Sequence, residues 1–235
     1  MQKLGLIGGV GPESTILYYH SIVYGVQKRM GKPYFPPLTI ESLSSFEVIR
    51  MSSQGQYEEL TEYLLGGIRN LAAAGADFAA LACNTGHMVF DKLQEQSPIP
   101  LISIVEVTCA EAKKRKDIKK IGLLGTMATM NATFFKKPFI EAGMEIITPA
   151  DTEKKLIAQR INDELLLGIV KKETVEDFLQ IIQRMIDEGG IQAIILGCTE
   201  LPLLFKDIEL PILILDTIGL HIKALIETIF SENNC

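Results

Sequence analysis

A chain of 235 residues and 26.0 kDa can bury a proper core without disulfide or metal staples, as one large domain or two small ones. Its 47% hydrophobic and 22% charged residues exclude a disordered chain. Lys and Arg number 23 against 29 Asp and Glu, a net charge of -6, so the basic surplus that a nucleic-acid or anionic-membrane partner requires is missing.

The chain opens with Met1-Gln2-Lys3 and passes at once into the strand pattern 3–8. That segment is too short and too glycine-rich for a signal peptide, and no later run reaches the ~18 apolar residues of a membrane span. A Gly-rich corner, Gly8-Gly9-Val10-Gly11, leads to a helix over 12–30. Further strands are predicted at 37–42, 77–82, 100–104, 120–125, 144–148, 192–197 and 211–215. Helices are predicted at 53–74, 86–95, 106–116, 131–142, 152–167, 173–188 and 217–231. Continuous apolar strands alternating with amphipathic helices indicate an α/β fold with parallel sheets covered on both faces. The basic run Lys113-Lys114-Arg115-Lys116 reads as a solvated helix end, favoured by the helix dipole.

The same text occurs twice. Lys3-Leu4-Gly5-Leu6-Ile7-Gly8 returns as Lys120-Ile121-Gly122-Leu123-Leu124-Gly125, and the strand ending at Cys83 returns as the strand ending at Cys198. Pro100-Leu101-Ile102-Ser103 returns as Pro211-Ile212-Leu213-Ile214. Three ordered matches at nearly one spacing indicate two pseudo-symmetric halves.

Duplication gives two of the four cysteines equivalent places. Cys83 and Cys198 each end a buried strand and precede a polar pair, Asn84-Thr85 and Thr199-Glu200. In open parallel sheets ligands sit beyond the carboxyl ends of the strands. A following helix start would favour thiolate at both positions. Two such thiols on opposite faces of one carbon suit stereochemical inversion, one removing a proton and the other delivering one. The enediolate-like charge so formed needs donors. Asn84, Thr85, Thr126, Thr129, Thr199 and the amides of the first corner, Val10 among them, can supply them. Cys109, in mid-helix, and Cys235, the last residue, read as bystanders. Cysteines without C-x-x-C spacing, and only three histidines, argue against structural zinc and for reduced thiols in a cytoplasmic protein.

Three segments, Gly8-Gly9-Val10-Gly11-Pro12-Glu13-Ser14-Thr15 with Tyr18-Tyr19, Cys83-Asn84-Thr85-Gly86-His87 and Gly197-Cys198-Thr199-Glu200, resemble the cofactor-independent aspartate/glutamate racemases, in particular the aspartate racemase branch. The resemblance spans essentially the whole chain. It implies racemization without PLP or any other cofactor, with Cys83 and Cys198 as the acid–base pair. It also implies two α/β lobes with the site in the cleft between them, and a homodimer. The lobes would be 1–103 with 214–235, carrying Cys83, and 104–213, carrying Cys198. The substrate expected is a small acidic amino acid, aspartate before glutamate. Arg50 is the candidate for its distal carboxylate, because guanidinium pairs bidentately with carboxylate. A lysine that the aspartate branch carries before a glycine of the second lobe has no match at Leu165-Leu166-Leu167-Gly168.

Other readings remain beside this one. A related lyase or isomerase of small dicarboxylates would use one cysteine as nucleophile. A dinucleotide could use Gly9-Val10-Gly11, with Glu41 on a ribose, although Ser14 stands where that fingerprint needs its third glycine. His87, four residues after Cys83, could hold the thiol or merely pack, and Glu200 could anchor a substrate ammonium, orient Cys198 or cap a helix.

Overall fold

In the computed structural model, which describes residues 1–198, 200–205 and 208–231, aliphatic strands pair in parallel into two sheets. Strands β1 (Leu4–Gly8), β2 (Leu38–Ser42), β3 (Phe78–Leu81) and β4 (Leu101–Ile102) form the first, in the order β2-β1-β3-β4. Strands β5 (Lys120–Leu124), β6 (Glu145–Ile147), β7 (Ala193–Leu196) and β8 (Leu213–Asp216) form the second, in the order β6-β5-β7-β8. The repeated order, with Leu4 opposite Phe78 in one sheet and Ile121 opposite Ala193 in the other, is the spatial form of the repeated text. The chain falls into two compact units, one of Met1–Val107 with the chain from Ile218 onward, the other of Thr108–Thr217.

The first unit carries α1 (Pro12–Met30), α2 (Ser45–Ser53), α3 (Tyr57–Ala73), α4 (Phe90–Gln96) and the start of α5 (Ile104–Lys113). Pro12 opens α1, where its missing N–H costs nothing. Tyr18, Ile22 and Val26 then bury one stripe at helical spacing. Leu60, Leu64, Ile68 and Leu71 do the same for α3, each side chain contributing about 1.5–3 kcal/mol by leaving water. The last helix, α10 (Thr217–Phe230), joins this unit. A Cβ on Gly25 of α1 would lie 2.4 Å from Ile226 Cδ1, so the glycine lets the Ile226 side chain of α10 pack directly on the α1 backbone. His221 of α10 accepts from the Tyr18 hydroxyl at Nδ1 (2.8 Å) and donates from Nε2 to the Ile102 carbonyl (3.1 Å).

The second unit carries α6 (Met127–Asn131), α7 (Thr133–Glu141), α8 (Asp151–Asp163) and α9 (Lys172–Asp187). Phe178, Ile181, Ile182 and Met185 form the buried stripe of α9. The turn between α8 and α9 is pinned by the buried Glu164 carboxylate, which accepts from Arg160 (2.6 Å) and from the Thr174 hydroxyl. A buried charge paired in this way avoids the desolvation cost that an isolated one would incur.

Three features differ from the sequence reading. The stretch 43–52, left between the strand predicted at 37–42 and the helix predicted at 53–74, coils into α2, because Val48 and Met51 bury a short stripe that the serines disguise. Gly55, at φ 69°, separates it from α3, so the predicted helix over 53–74 begins only at Tyr57. Residues 214–235 are predicted to lie with the first lobe, yet β8 pairs with β7 in the second sheet, and the crossing comes one element later, at α10. No helix among the described residues is long and apolar enough to cross a membrane.

Candidate active site

Cys83 stands two residues past the end of β3, and Cys198 two residues past the end of β7. The backbone before each is tied to the neighbouring strand in the same manner. Ala82 N–H donates to the Ile7 carbonyl at 2.9 Å, and Gly197 N–H to the Leu124 carbonyl at 2.7 Å. Both thiols are buried and reduced. Beside each, a threonine presses on a glycine at the end of the neighbouring strand, Gly8 as the last residue of β1 and Gly125 as the first after β5. A Cβ on Gly8 would lie 2.5 Å from Thr15 Cγ2, and one on Gly125 3.2 Å from Thr129 Cγ2.

In the first unit, Cys83 is followed by Asn84 and then a 3₁₀ turn over Thr85–Val89. The expected thiolate-favouring helix start is overturned here: burial pushes the Cys83 thiol up to about 11, against the weaker pull of the Gly86 N–H bonded to it. A single tight turn offers too little dipole to offset desolvation. Cys83 is therefore a stored proton at neutral pH. His87 is not its base. It donates from Nδ1 to the Cys83 carbonyl (2.9 Å) and accepts the Ile104 N–H at Nε2 (3.2 Å), stacked on Phe90. Those two bonds require the neutral ring, whose pKa burial drives down to about 4.

In the second unit the thiol has a different neighbour. Cys198 donates its S–H to Glu200 Oε2 at 2.9 Å. Of the alternatives open for Glu200, the geometry supports the contact with the thiol: a carboxylate placed to accept the proton. Thr126 caps α6, its Oγ1 accepting the Thr129 N–H at 3.2 Å, and remains half-buried. Thr199 lies outside the described residues.

The sequence matches the Asp/Glu/Hydantoin racemase family over residues 7–225. The chain belongs to that family. Among relatives, it is 27% identical to the broad specificity amino-acid racemase RacX of Bacillus subtilis over 231 residues, covering 96% of this chain and 97% of that one. Among solved structures, an aspartate racemase homologue from Pyrococcus horikoshii superposes with a TM-score of 0.86 at 34% identity, covering 98% and 100% of the two chains. The aspartate racemase of Picrophilus torridus, at 20% identity, TM-score 0.75 and coverage of 97% and 94%, shares the fold.

Within this racemase-family framework the remaining predicted residues separate. Asn84 and Thr85 are half-buried directly after Cys83, and Val10 lies half-buried at the β1–α1 corner. Arg50 lies on α2, its guanidinium already committed. Nε and Nη2 donate to Glu47 Oε2 at 3.1 and 2.9 Å, and Nη1 to Gln56 at 2.7 Å. Glu41, considered for a ribose, accepts from Asn70 instead. Two residues were not foreseen. Ser14 Oγ shares its proton between the Gly11 carbonyl (2.8 Å) and the Ala82 carbonyl (3.1 Å), bracing the residue before Cys83. A Cβ on Gly86 would lie 2.5 Å from Leu81 Cδ2 and 3.3 Å from the Cys83 sulfur. The signal for Ser14 was present, since it was the residue that spoiled the dinucleotide fingerprint.

Proposed function

We propose that the chain is a PLP-independent amino-acid racemase in which Cys83 and Cys198 act on opposite faces of one α-carbon. The observation that carries this reading is the pairing of equivalent positions with unequal surroundings: burial holds the proton on one thiol, and the other donates its S–H to a carboxylate at 2.9 Å. Glu200 takes the Cys198 proton, the thiolate so formed removes the α-proton, and Cys83 delivers its own proton to the opposite face. Asn84, Thr85 and the Val10 corner in one unit, with Thr126 and Thr199 in the other, donate to the carboxylate as it becomes enediolate-like. Such donors act where charge develops. The opposite direction must start from a Cys83 thiolate, which burial disfavours. Two free thiols suit a reducing cytoplasm.

Aspartate, then glutamate, is the substrate that the resemblance favours. Arg50 is the candidate for its distal carboxylate, and binding one there would mean breaking the bonds to Glu47 and Gln56. The inequality of the thiols also favours a second reading, a lyase or isomerase with one nucleophilic cysteine. Turnover in deuterated water, with chiral chromatography, separates the two. A racemase places deuterium at the α-carbon of both enantiomers and leaves no adduct on the protein, whereas a covalent adduct at either cysteine in the mass spectrum supports the second reading.

A further inference from the structure

We infer that His87 is a positioning residue for Cys83: it holds the peptide from which the thiol projects, and so fixes where that thiol delivers its proton. The inference rests on the racemase reading and adds a residue to it. The first sign is a departure from the repeat. Four residues after Cys83 stands His87, and four residues after Cys198 stands Pro202. In the second unit the Cys198 carbonyl accepts a main-chain donor, the Leu201 N–H at 3.3 Å. In the first unit the Cys83 carbonyl accepts from a side chain, the Nδ1–H of His87 at 2.9 Å.

His87 is itself held. A carbonyl can only accept, so Nδ1 carries the proton of the ring and Nε2 is left to accept the Ile104 N–H at 3.2 Å. The ring is 2% exposed and stacks on Phe90 with centroids 4.9 Å apart. Two residues before Ile104, the Ile102 carbonyl accepts from His221 Nε2 at 3.1 Å, and the other nitrogen of that ring accepts the Tyr18 hydroxyl at 2.8 Å. The two imidazoles meet edge to face, 6.5 Å apart. Residues 102–104 are thus held from two sides, and through them Cys83 is tied to β4, α5, α10 and α1. Buried polar networks whose bonds are satisfied rigidify the groups they join.

Bonds on the other side of Cys83 match this grip. Ser14 Oγ donates to the Ala82 carbonyl at 3.1 Å, and Ala82 N–H donates to the Ile7 carbonyl at 2.9 Å. The peptide before the Cys83 Cα is therefore fixed by β1 and Ser14, and the peptide after it by His87. Between them the sulfur accepts the Gly86 N–H. A proton donor must lie within hydrogen-bond reach of the atom it serves, and a misplacement of ~1 Å can cost about 100-fold in rate.

The test follows where the proton goes. In deuterated water, the enantiomer deprotonated by Cys198 takes up deuterium with inversion from Cys83, or with retention by return from Cys198. His87→Phe keeps a ring against Phe90 and removes both hydrogen bonds. In that variant kcat for inversion is expected to fall roughly 100-fold with KM little changed, and the ratio of retained to inverted deuterium to rise at least tenfold in one enantiomer only. His87→Gln, whose amide supplies one donor and one acceptor, is expected to bring both values back toward those of the unaltered protein. An unchanged ratio, an equal rise in both enantiomers, or no recovery in His87→Gln overturns the inference, because a general loss of folded protein slows retention and inversion alike. If His87→Phe does not fold, Tyr18→Phe, which removes the hydroxyl that steadies His221, decides by the same ratio: a rise of at least threefold upholds the inference and none overturns it. If the unaltered protein exchanges no α-proton of any amino acid, the racemase reading fails on its own, and alkylation read by mass spectrometry decides the positioning. Cys83 of the folded variant is then expected to react with iodoacetamide at least tenfold faster than in the unaltered protein, with Cys198 unchanged, and equal rates at Cys83 overturn the inference.

Discussion

Cys83 and Cys198 differ less in position than in what lies within reach of each sulfur. Burial keeps one proton on Cys83, with a pKa near 11, while the Glu200 carboxylate stands 2.9 Å from the other sulfur. A positioned base contributes typically 10²–10⁴-fold. Glu200→Gln, nearly isosteric but unable to take a proton, is therefore expected to lower kcat on the order of 100-fold while changing KM little, as steady-state kinetics would show. A loss confined to KM would mean that Glu200 binds substrate rather than serving the thiol. The pair of cysteines was legible from the sequence because duplication marks equivalent places. Their inequality was not, because desolvation depends on what packs around a sulfur, and residues distant in the chain, such as Leu60, Leu64 and Leu101 in the core cluster that holds Cys83, supply that packing.

The β1–α1 corner shows what an element must satisfy to place such groups. Gly9 sits at φ 80°, where an L side chain is strained, and its missing Cβ is what allows the exit of β2 to close over it. Gly9→Ala combines that strain with a backbone clash, and a loss of about 2 kcal/mol or more in unfolding free energy is expected from chemical denaturation. Little change in the midpoint would show that the corner relaxes freely. The glycines of this corner were visible in the sequence as a turn, as were the strands and long helices, whose apolar periodicity is strong. Helix α2 escaped because its buried stripe is only Val48 and Met51 among serines. With it went the surroundings of Arg50, whose partners Glu47 and Gln56 become neighbours only when the segment coils.

Across the whole molecule, one strand order used twice gives each thiol the same backbone support, and the repeated text announced it. The buried histidines were less transparent: His87, weighed as a partner of the thiol, and His221 on the returning helix are both held neutral. Burial drives them down, to about 4 and about 3, with His87 adding to the effect on His221. Their unfolded counterparts titrate near 6.5, so the contribution of the neutral rings is complete above that pH. It is lost as the pH falls toward 4 and 3, at up to about 1.4 kcal/mol per pH unit for each ring. Denaturation midpoints should therefore drop between pH 7 and pH 5, and less steeply in His87→Gln; a flat profile would mean that the rings take up protons in the folded state. Most direct for the mechanism is α-carbon exchange in deuterated water by the unaltered protein, Cys83→Ala and Cys198→Ala. Expected is deuterium entering both enantiomers with the unaltered protein, and interconversion abolished in each variant; near-normal interconversion in either variant would contradict a reaction shared by two thiols.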